Sequence, residues 1–455
     1  MPLPVTSPPP MEDQARFDQI MKHGHQDLVQ AVAFNSYGDR CTTGSVDGKI
    51  RVFNRHQDGI WRHCDNWTAH GGEILELQWL PPTIYPNLLA SLGIDGRFKL
   101  WAEDAAAAPG RRFSHRHKEN ARAAYEHRSR GGGGSYRSFS IRHNDETRHS
   151  HLALLASDGQ LEVFENELPE NLTDWNPIAR FNVCSRPTRG EEVSFRVRFD
   201  PNPDPCYTAL RAGAPTDSLG LVVAAMDTVH IYRSREAIGN PSGPAGASAV
   251  REFYLAAEVQ GHRGLVRDVA WAPGNIRGYD IIASACQDGF VRVMRLETPF
   301  DPNDGKTWSE HDLVKGGAGS NAYESKSNTH SRTGTASENS PHASGNHHQF
   351  QQSHPGHTPN VPQAKSMLGS ELAISSAHDQ RPMTGLPGEV THQVHVLSKL
   401  DSHRTPVWRV GFDDDGQILG SVGDEGRLLL YRQTPDGSWA KSSELAMIKM
   451  KMATP

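Results

Sequence analysis

Small apolar residues and alternating apolar/polar residues come in paired short runs along this chain, and the same pair recurs six times. The first run of each pair spans residues 41–45, 89–91, 154–156, 222–225, 282–285 and 418–421. The second alternates and ends on a large residue, at Phe53, Trp101, Phe164, Tyr232, Met294 and Tyr431. Between the two stands an acidic residue, usually followed by glycine: Asp47-Gly48, Asp95-Gly96, Asp158-Gly159, Asp288-Gly289 and Glu425-Gly426. In the fourth unit, at Met226-Asp227, the acid comes one place late. A period of two is the signature of a β-strand, and Asp-Gly between two such runs signals a hairpin, because a type I′ turn needs φ > 0 and glycine takes it without strain. Each unit is predicted to be a hairpin.

A further strand precedes each hairpin, and four times a histidine precedes that strand: His25, His70, His262 and His403. From histidine to the terminal large residue run 28, 31, 32 and 28 residues. The third and fourth units lack the histidine but keep the strand, at residues 136–141 and 193–199. A histidine-to-tryptophan interval of this length marks a four-stranded propeller blade, and the chain resembles the WD-repeat family. No unit ends in a literal Trp-Asp pair, so the resemblance rests on spacing. In the second blade His70, Ser91, Asp95 and Trp101 resemble the hydrogen-bonding set of that family, and Asp47, Asp158, Asp288, His262 and His403 stand at equivalent places. These are read as fold residues, each turn aspartate capping its own backbone and pairing with the blade histidine. The fold class is therefore all-β, a six-bladed propeller.

Regular repetition makes residues 20–446 a single domain, although 455 residues could hold two or three. Three stretches break the repeat. Residues 1–19 are proline-rich and polar and read, like residues 447–455, as a tail. Residues 102–135 carry seven arginines and lysines and then Gly131 to Gly134, and read as a flexible basic loop. Residues 299–390 are rich in serine, glycine, asparagine, glutamine and histidine, with too little apolar surface to offset the entropy of ordering. That insertion falls after the third strand of the fifth unit, with the fourth strand resuming near residues 394–397.

Composition narrows the chemistry. The net charge of −6 gives no overall drive toward nucleic acid, and direct nucleic-acid binding is not expected. Five cysteines without a CxxC pair predict free thiols in a reducing compartment, and no apolar run is long enough for a membrane-spanning helix. The histidines are concentrated in the insertion and at the openings of blades, not beside a nucleophile, so no catalytic residue is assigned. His347-His348 and His115-Arg116-His117 lack a fixed scaffold for a metal, and Gly131 to Gly134 lack the Lys-Ser/Thr of a phosphate loop. No cofactor and no small-molecule substrate are expected.

Counting strands suggests an unfinished ring. After Tyr431 only one more strand, around residues 439–445, precedes the end, and residues 17–21 are the sole candidate for a spare strand at the start. An open propeller exposes two blade faces that a partner would cover by adding strands. Candidates to flank such a partner are Leu28, Val29, Val32 and Phe34 in the first blade and Val407, Val410, Phe412 and Leu430 in the last.

A closer likeness lies in residues 27–32, 41–47 and 67–70, in Trp271-Ala272-Pro273, in residues 403–410 with 423–426, and in Leu172-Thr173-Asp174-Trp175. These resemble the Seh-type nucleoporins, nuclear-pore relatives of the small WD-repeat subunit of the COPII outer coat. The resemblance implies an open six-bladed propeller completed in trans by a blade from a large α-helical nucleoporin, within the Y-shaped complex of the nuclear pore complex. It also implies membership of the SEA or GATOR complex at the vacuolar or lysosomal membrane in TOR signalling, and a scaffold role in nucleocytoplasmic transport of mRNA and protein. The alternatives are a COPII outer-coat subunit in vesicle transport and a closed propeller that binds peptides on its top face.

Overall fold

The computed structural model describes residues 21–82, 87–108, 110–113, 123–129, 133–236, 251–274, 278–299 and 388–446. They form six antiparallel four-stranded sheets. Blade 1 is β1 (Val29–Phe34), β2 (Arg40–Ser45), β3 (Lys49–Arg55) and β4 (Trp61–Thr68). Blade 2 is β5 (Ile74–Trp79), β6 (Leu88–Gly93), β7 (Arg97–Ala102) and β8 (Tyr125–Arg128), and blade 3 is β9 (Tyr136–His143), β10 (Ser150–Ala156), β11 (Gln160–Asn166) and β12 (Asn176–Asn182). Blade 4 is β13 (Phe195–Phe199), β14 (Gly220–Ala225), β15 (Thr228–Glu236) and β16 (Arg251–Val259), with a short helix α1 (Tyr207–Arg211) between its first two strands. Blade 5 is β17 (Val266–Trp271), β18 (Asp280–Cys286), β19 (Val291–Glu297) and β20 (Gln393–Leu400), and blade 6 is β21 (Val407–Phe412), β22 (Ile418–Gly423), β23 (Arg427–Gln433) and β24 (Trp439–Ala446).

The paired runs of the sequence are the second and third strands of each blade. Five of the six turns are longer than the expected two-residue type. In blade 1 the connection has three residues, Gly48 N donates to Ser45 O at 3.2 Å, and only Gly48 takes positive φ, at 74°. A Cβ on Gly48 would meet the His70 carbonyl oxygen at 2.5 Å, so both conformation and space demand glycine there. Blade 4 alone keeps a two-residue connection, Met226-Asp227 between the paired Ala225 and Thr228; Met226 adopts φ 60°, and the loop's missing residue puts the acid one place late.

The basic stretch 102–135 is not all loop. β8 lies inside it and supplies the fourth strand of blade 2, pairing Leu100 with Tyr125 and Phe98 with His127. Phe113, from the same stretch, is buried and stacks on Trp67 with ring centroids 5.0 Å apart. Flanking arginines hid both features, since β8 is four residues long and only half-buried. The expected tails at 1–19 and 447–455, and nearly all of the 299–390 insertion, lie outside the described residues. The ends of that insertion do fall where the pattern put them, with Glu297 of β19 paired to Gln393 of β20.

Packing runs blade to blade. Five apolar clusters fill five interfaces: Ile50, Val52 and Trp67 against Ile74, Leu89 and Trp101 between blades 1 and 2, and Leu100 against Phe139 and Leu154 between blades 2 and 3. Val163 packs toward Val197 and Val223, Val222 and Ile231 toward Val269 and Met294, and Ala283 and Val293 toward Val410 and Tyr431. Along the axis β1 packs on β5, β5 on β9, β9 on β13, β13 on β17 and β17 on β21. Neither a cluster nor comparable strand packing joins blade 6 back to blade 1 among the described residues. The propeller is open.

Candidate partner-binding site

Blades 2, 5 and 6 each turn the face bearing the histidine toward the blade before it. In blade 2 the His70 Nδ1 lies 3.1 Å from Asp95 Oδ1 and its Nε2 lies 2.8 Å from Ser91 Oγ, which also accepts the Trp101 indole N–H at 2.8 Å. With Nδ1–H donated to Asp95, Nε2 is left to accept the Ser91 hydroxyl proton, so all four polar groups are satisfied in one chain. Burial pushes the His70 pKa down. Burial also works to raise that of Asp95, but the hydrogen bond and charge of His70 and two backbone N–H groups outweigh it and bring it to about 2.

The same arrangement recurs with other partners. His25 lies 3.2 Å from Asp47 and 2.8 Å from Thr43, and His403 lies 2.9 Å from Glu425 and 2.6 Å from Ser421. Asp158, in a blade without the histidine, accepts from the backbone of Gly134 at 2.8 Å. Blade 5 breaks the expected aspartate–histidine pairing. His262 keeps Ser284 at 2.9 Å, but Asp288 turns to Arg292 at 2.6 Å and leaves His262 Nδ1 without a partner. Burial, followed by the charge of Arg292, lowers the His262 pKa to about 4.

The open gap is bounded by the histidine face of blade 1 and the opposite face of blade 6. Three positions of each first strand make the comparison. The place of Val29, Val32 and Phe34, set by pairing with Ser45, Thr43 and Cys41, is taken in blade 5 by Val266, Val269 and Trp271 and in blade 6 by Val407, Val410 and Phe412. In blade 4 Phe195, Val197 and Phe199 occupy it, and in blade 3 Tyr136, Phe139 and Ile141. All six of those side chains in blades 3 and 4, and the three of blade 5, are buried against the preceding blade. On β1, where no blade precedes, Val32 is 54 % and Phe34 58 % exposed, and Val29 is half-buried. Leu28, at the entrance to β1, is 70 % exposed.

The other half of the predicted list needs correction. Val407, Val410 and Phe412 lie on the blade 5 side, in the cluster with Ala283 and Val293, and cannot meet a partner in the gap. Period-two alternation could not tell the two faces apart. Leu430 does face the gap. Its registers align Gly411, Gly420, Leu430 and Ser443 in one cross-strand row and Arg409, Val422, Leu428 and Leu445 in the next. Leu445 is 51 % exposed, and Val422, Leu428 and Leu430 are half-buried, so the sequence reading missed three apolar members of this wall. Phe34 stacks edge-on against Trp61 at 5.8 Å on the opposite wall, as Phe53 does against His63 at 5.6 Å. The two walls are unpartnered faces of four-stranded sheets, suited to sandwiching a further sheet.

No group of three or more metal-ligating side chains occurs among the described residues, and His115, His117, His347 and His348 lie outside them. The WD domain, G-beta repeat family matches residues 18–54, which include β1 to β3 of blade 1, and residues 253–293, which run from β16 of blade 4 into β19 of blade 5. Nucleoporin SEH1 of Chaetomium thermophilum is 50% identical to this chain, over 99% of the chain and 98% of that protein. Nucleoporin SEH1 of Saccharomyces cerevisiae is 26% identical over 91% and 95%, and that of Homo sapiens 19% identical over 91% and 84%. Half-identity across both full lengths, on a WD-repeat propeller left open between its first and last blades, makes the chain a member of the SEH1 family of nucleoporins.

Proposed function

We propose that this protein is a non-catalytic scaffold subunit of the nuclear pore complex, whose open ring is completed by a blade from a large α-helical nucleoporin of the Y-shaped complex. The observation that carries this reading is the exposure of Val32 and Phe34, whose counterparts in blades 3, 4 and 5 are all buried by a preceding blade. A blade inserted there would pair the free backbone edges and cover apolar side chains on both walls, the logic of strand addition. Kinship with nucleoporins of three organisms supports a place at the nuclear envelope and a part in nucleocytoplasmic transport of mRNA and protein. Membership of a SEA or GATOR complex at the vacuolar or lysosomal surface belongs to the same proposal, since the same gap would serve either assembly.

The test is purification of the tagged full-length protein from its own cells in high salt, followed by mass spectrometry. A large helical pore-scaffold protein should stay bound to the wild type and be lost from Val32→Asp/Phe34→Asp. Retention of the COPII outer-coat partner instead, or of no partner at all, would overturn the reading. Val407 and Phe412 are unsuitable for this purpose, because aspartate there disrupts the core between blades 5 and 6.

A further inference from the structure

We infer that the blade entering this gap is acidic, presenting carboxylates to a set of unpaired cations on both walls; this rests on the reading that a partner's blade fills the gap. On blade 1 the β3 side chains facing the gap are Lys49, Arg51, Phe53 and Arg55, which alternate with Ile50, Val52 and Asn54. On blade 6 Arg409 and Arg432 share the gap face with Leu428 and Leu430. None of these five cations has a carboxylate within ion-pair distance among the described residues, whereas Arg40, Arg97, Arg196, Arg233, Arg267 and Arg427 each have one. Nor do the pairing registers bring any acidic residue onto either face.

Arg51 is the sharpest case. Its counterpart in blade 5 is Arg292, which takes Asp288 at 2.6 Å. In blade 1 the corresponding Asp47 is taken by His25 and by the backbone N–H groups of Gln26 and Lys49, and makes no ion pair with Arg51. The Arg51 Nε is buried and has no hydrogen-bond partner. A buried guanidinium N–H without an acceptor is costly, and a charge-assisted bond from an incoming carboxylate removes that cost. Arg409 sits at the inner end of the other wall, where its charge reaches Glu76 across the axis. In a chain of net charge −6, two facing walls whose strands carry only positive charge, with Asp47 at the turn already paired to His25, are complementary to a negative insert. The surrounding Val32, Phe34, Leu428 and Leu430 require that insert to be a packed sheet with apolar side chains between its acids, which separates it from a nucleic-acid backbone.

The experiment uses full-length protein and, as probe, the purified helical nucleoporin that co-purifies with it, with affinity measured between about 0.05 and about 0.5 M NaCl. Arg55→Glu/Arg432→Glu, both exposed positions, should weaken binding about tenfold or more and flatten its salt dependence, and Arg51→Glu should weaken it on the order of 100-fold. Arg51→Lys keeps the charge and should bind far better than Arg51→Glu, with thermal melting of each variant alone to verify folding. Unchanged affinity and salt slope in folded charge-reversed variants would overturn the inference while leaving the proposed function standing. Failure of the wild type to bind any helical nucleoporin would remove both. Binding of a short single-stranded RNA that is lost in the same variants, with nucleoporin binding unaffected, would reassign these cations to nucleic acid.

Discussion

Ser91 holds two buried donors and acceptors in place at once, and its hydroxyl is the one group that both His70 and Trp101 share. Ser91→Ala removes no apolar contact yet strands the indole N–H and the imidazole Nε2 in a dry site, a loss of about 1–3 kcal/mol in a chemical denaturation curve. A change within about 0.5 kcal/mol would mean that water reaches the set. His262 makes the pH prediction. Its folded pKa is depressed to about 4, so between its ordinary value near 6.5 and about 4 the unfolded chain binds the proton and the folded chain does not. Stability from this residue is complete above the unfolded value and declines as pH falls through that window, by up to about 3 kcal/mol. His262→Asn, which retains a donor toward Ser284, should flatten the denaturation midpoint between pH 6.5 and pH 4 relative to wild type; an unaltered slope would place the proton on another histidine. Burial lowers His70, His151 and His392 in the same direction, so a flattened but not level profile is expected.

At the scale of elements, blade 5 tolerates its interruption because the two ends of the insertion are fastened to each other and to blade 4. Glu297 pairs with Gln393, Thr298 lies 2.8 Å from His392 Nδ1, and the Arg233 Nε donates to His392 Nε2 at 3.1 Å. Tyr254 of β16 donates to Gly388 O at 3.1 Å and accepts from Val390 N at 3.0 Å. Replacing residues 300–387 by a short Gly/Ser link should therefore leave Tm unchanged or raised, since closing a loop some fifteen times shorter costs about 2 kcal/mol less. A fall in Tm of several degrees would show that the deleted residues contribute to the fold. Strands of this kind were legible from sequence because burial on one face imposes a period of two, and six repeats of one turn fixed the frame. β8 was not, because Tyr125 and His127 alternate among charged residues, and its pairing partner β7 alone defines it. The walls of the gap were half legible: Val32, Phe34 and Leu430 were found, but Val407, Val410 and Phe412 were put there in error. A strand's alternation gives its two faces, and only the order of blades around the axis says which neighbour each one meets.

At the scale of the whole molecule, polar contacts along the axis tie blades 2 to 6 of the open ring together, across four of its five interfaces, in addition to the apolar clusters. Glu76 of blade 2 accepts from Ser138 Oγ at 3.0 Å and Phe139 N at 2.8 Å in blade 3, and pairs with Arg196 and Arg198 of blade 4, each at 2.9 Å. Arg198 lies 3.6 Å from Asp268 of blade 5, whose other carboxylate oxygen takes the N–H of Val410 in blade 6 at 3.3 Å. Ion pairs thus join blades 2, 4 and 5, and hydrogen bonds to the same carboxylates extend the chain to blades 3 and 6. Burial acts to raise the Glu76 pKa, but the charges of Arg198, Arg196 and Arg409 outweigh it and bring it down to about 2. A depressed carboxylate gives stability that is complete above its unfolded value near 4.5 and is lost as pH falls toward about 2. Glu76→Gln keeps the volume and removes the charge, leaving the half-buried Arg196 without a carboxylate and Arg198 with Asp268 alone, at a cost of about 3 kcal/mol. Because the network spans blades rather than lying within one, the loss should appear as cooperative unfolding of the whole ring at lower denaturant, with the slope of the transition preserved. If hydrogen exchange instead showed only β5 loosening while blades 4 and 5 kept their protection, the axis would be a local contact and not the brace of an open ring.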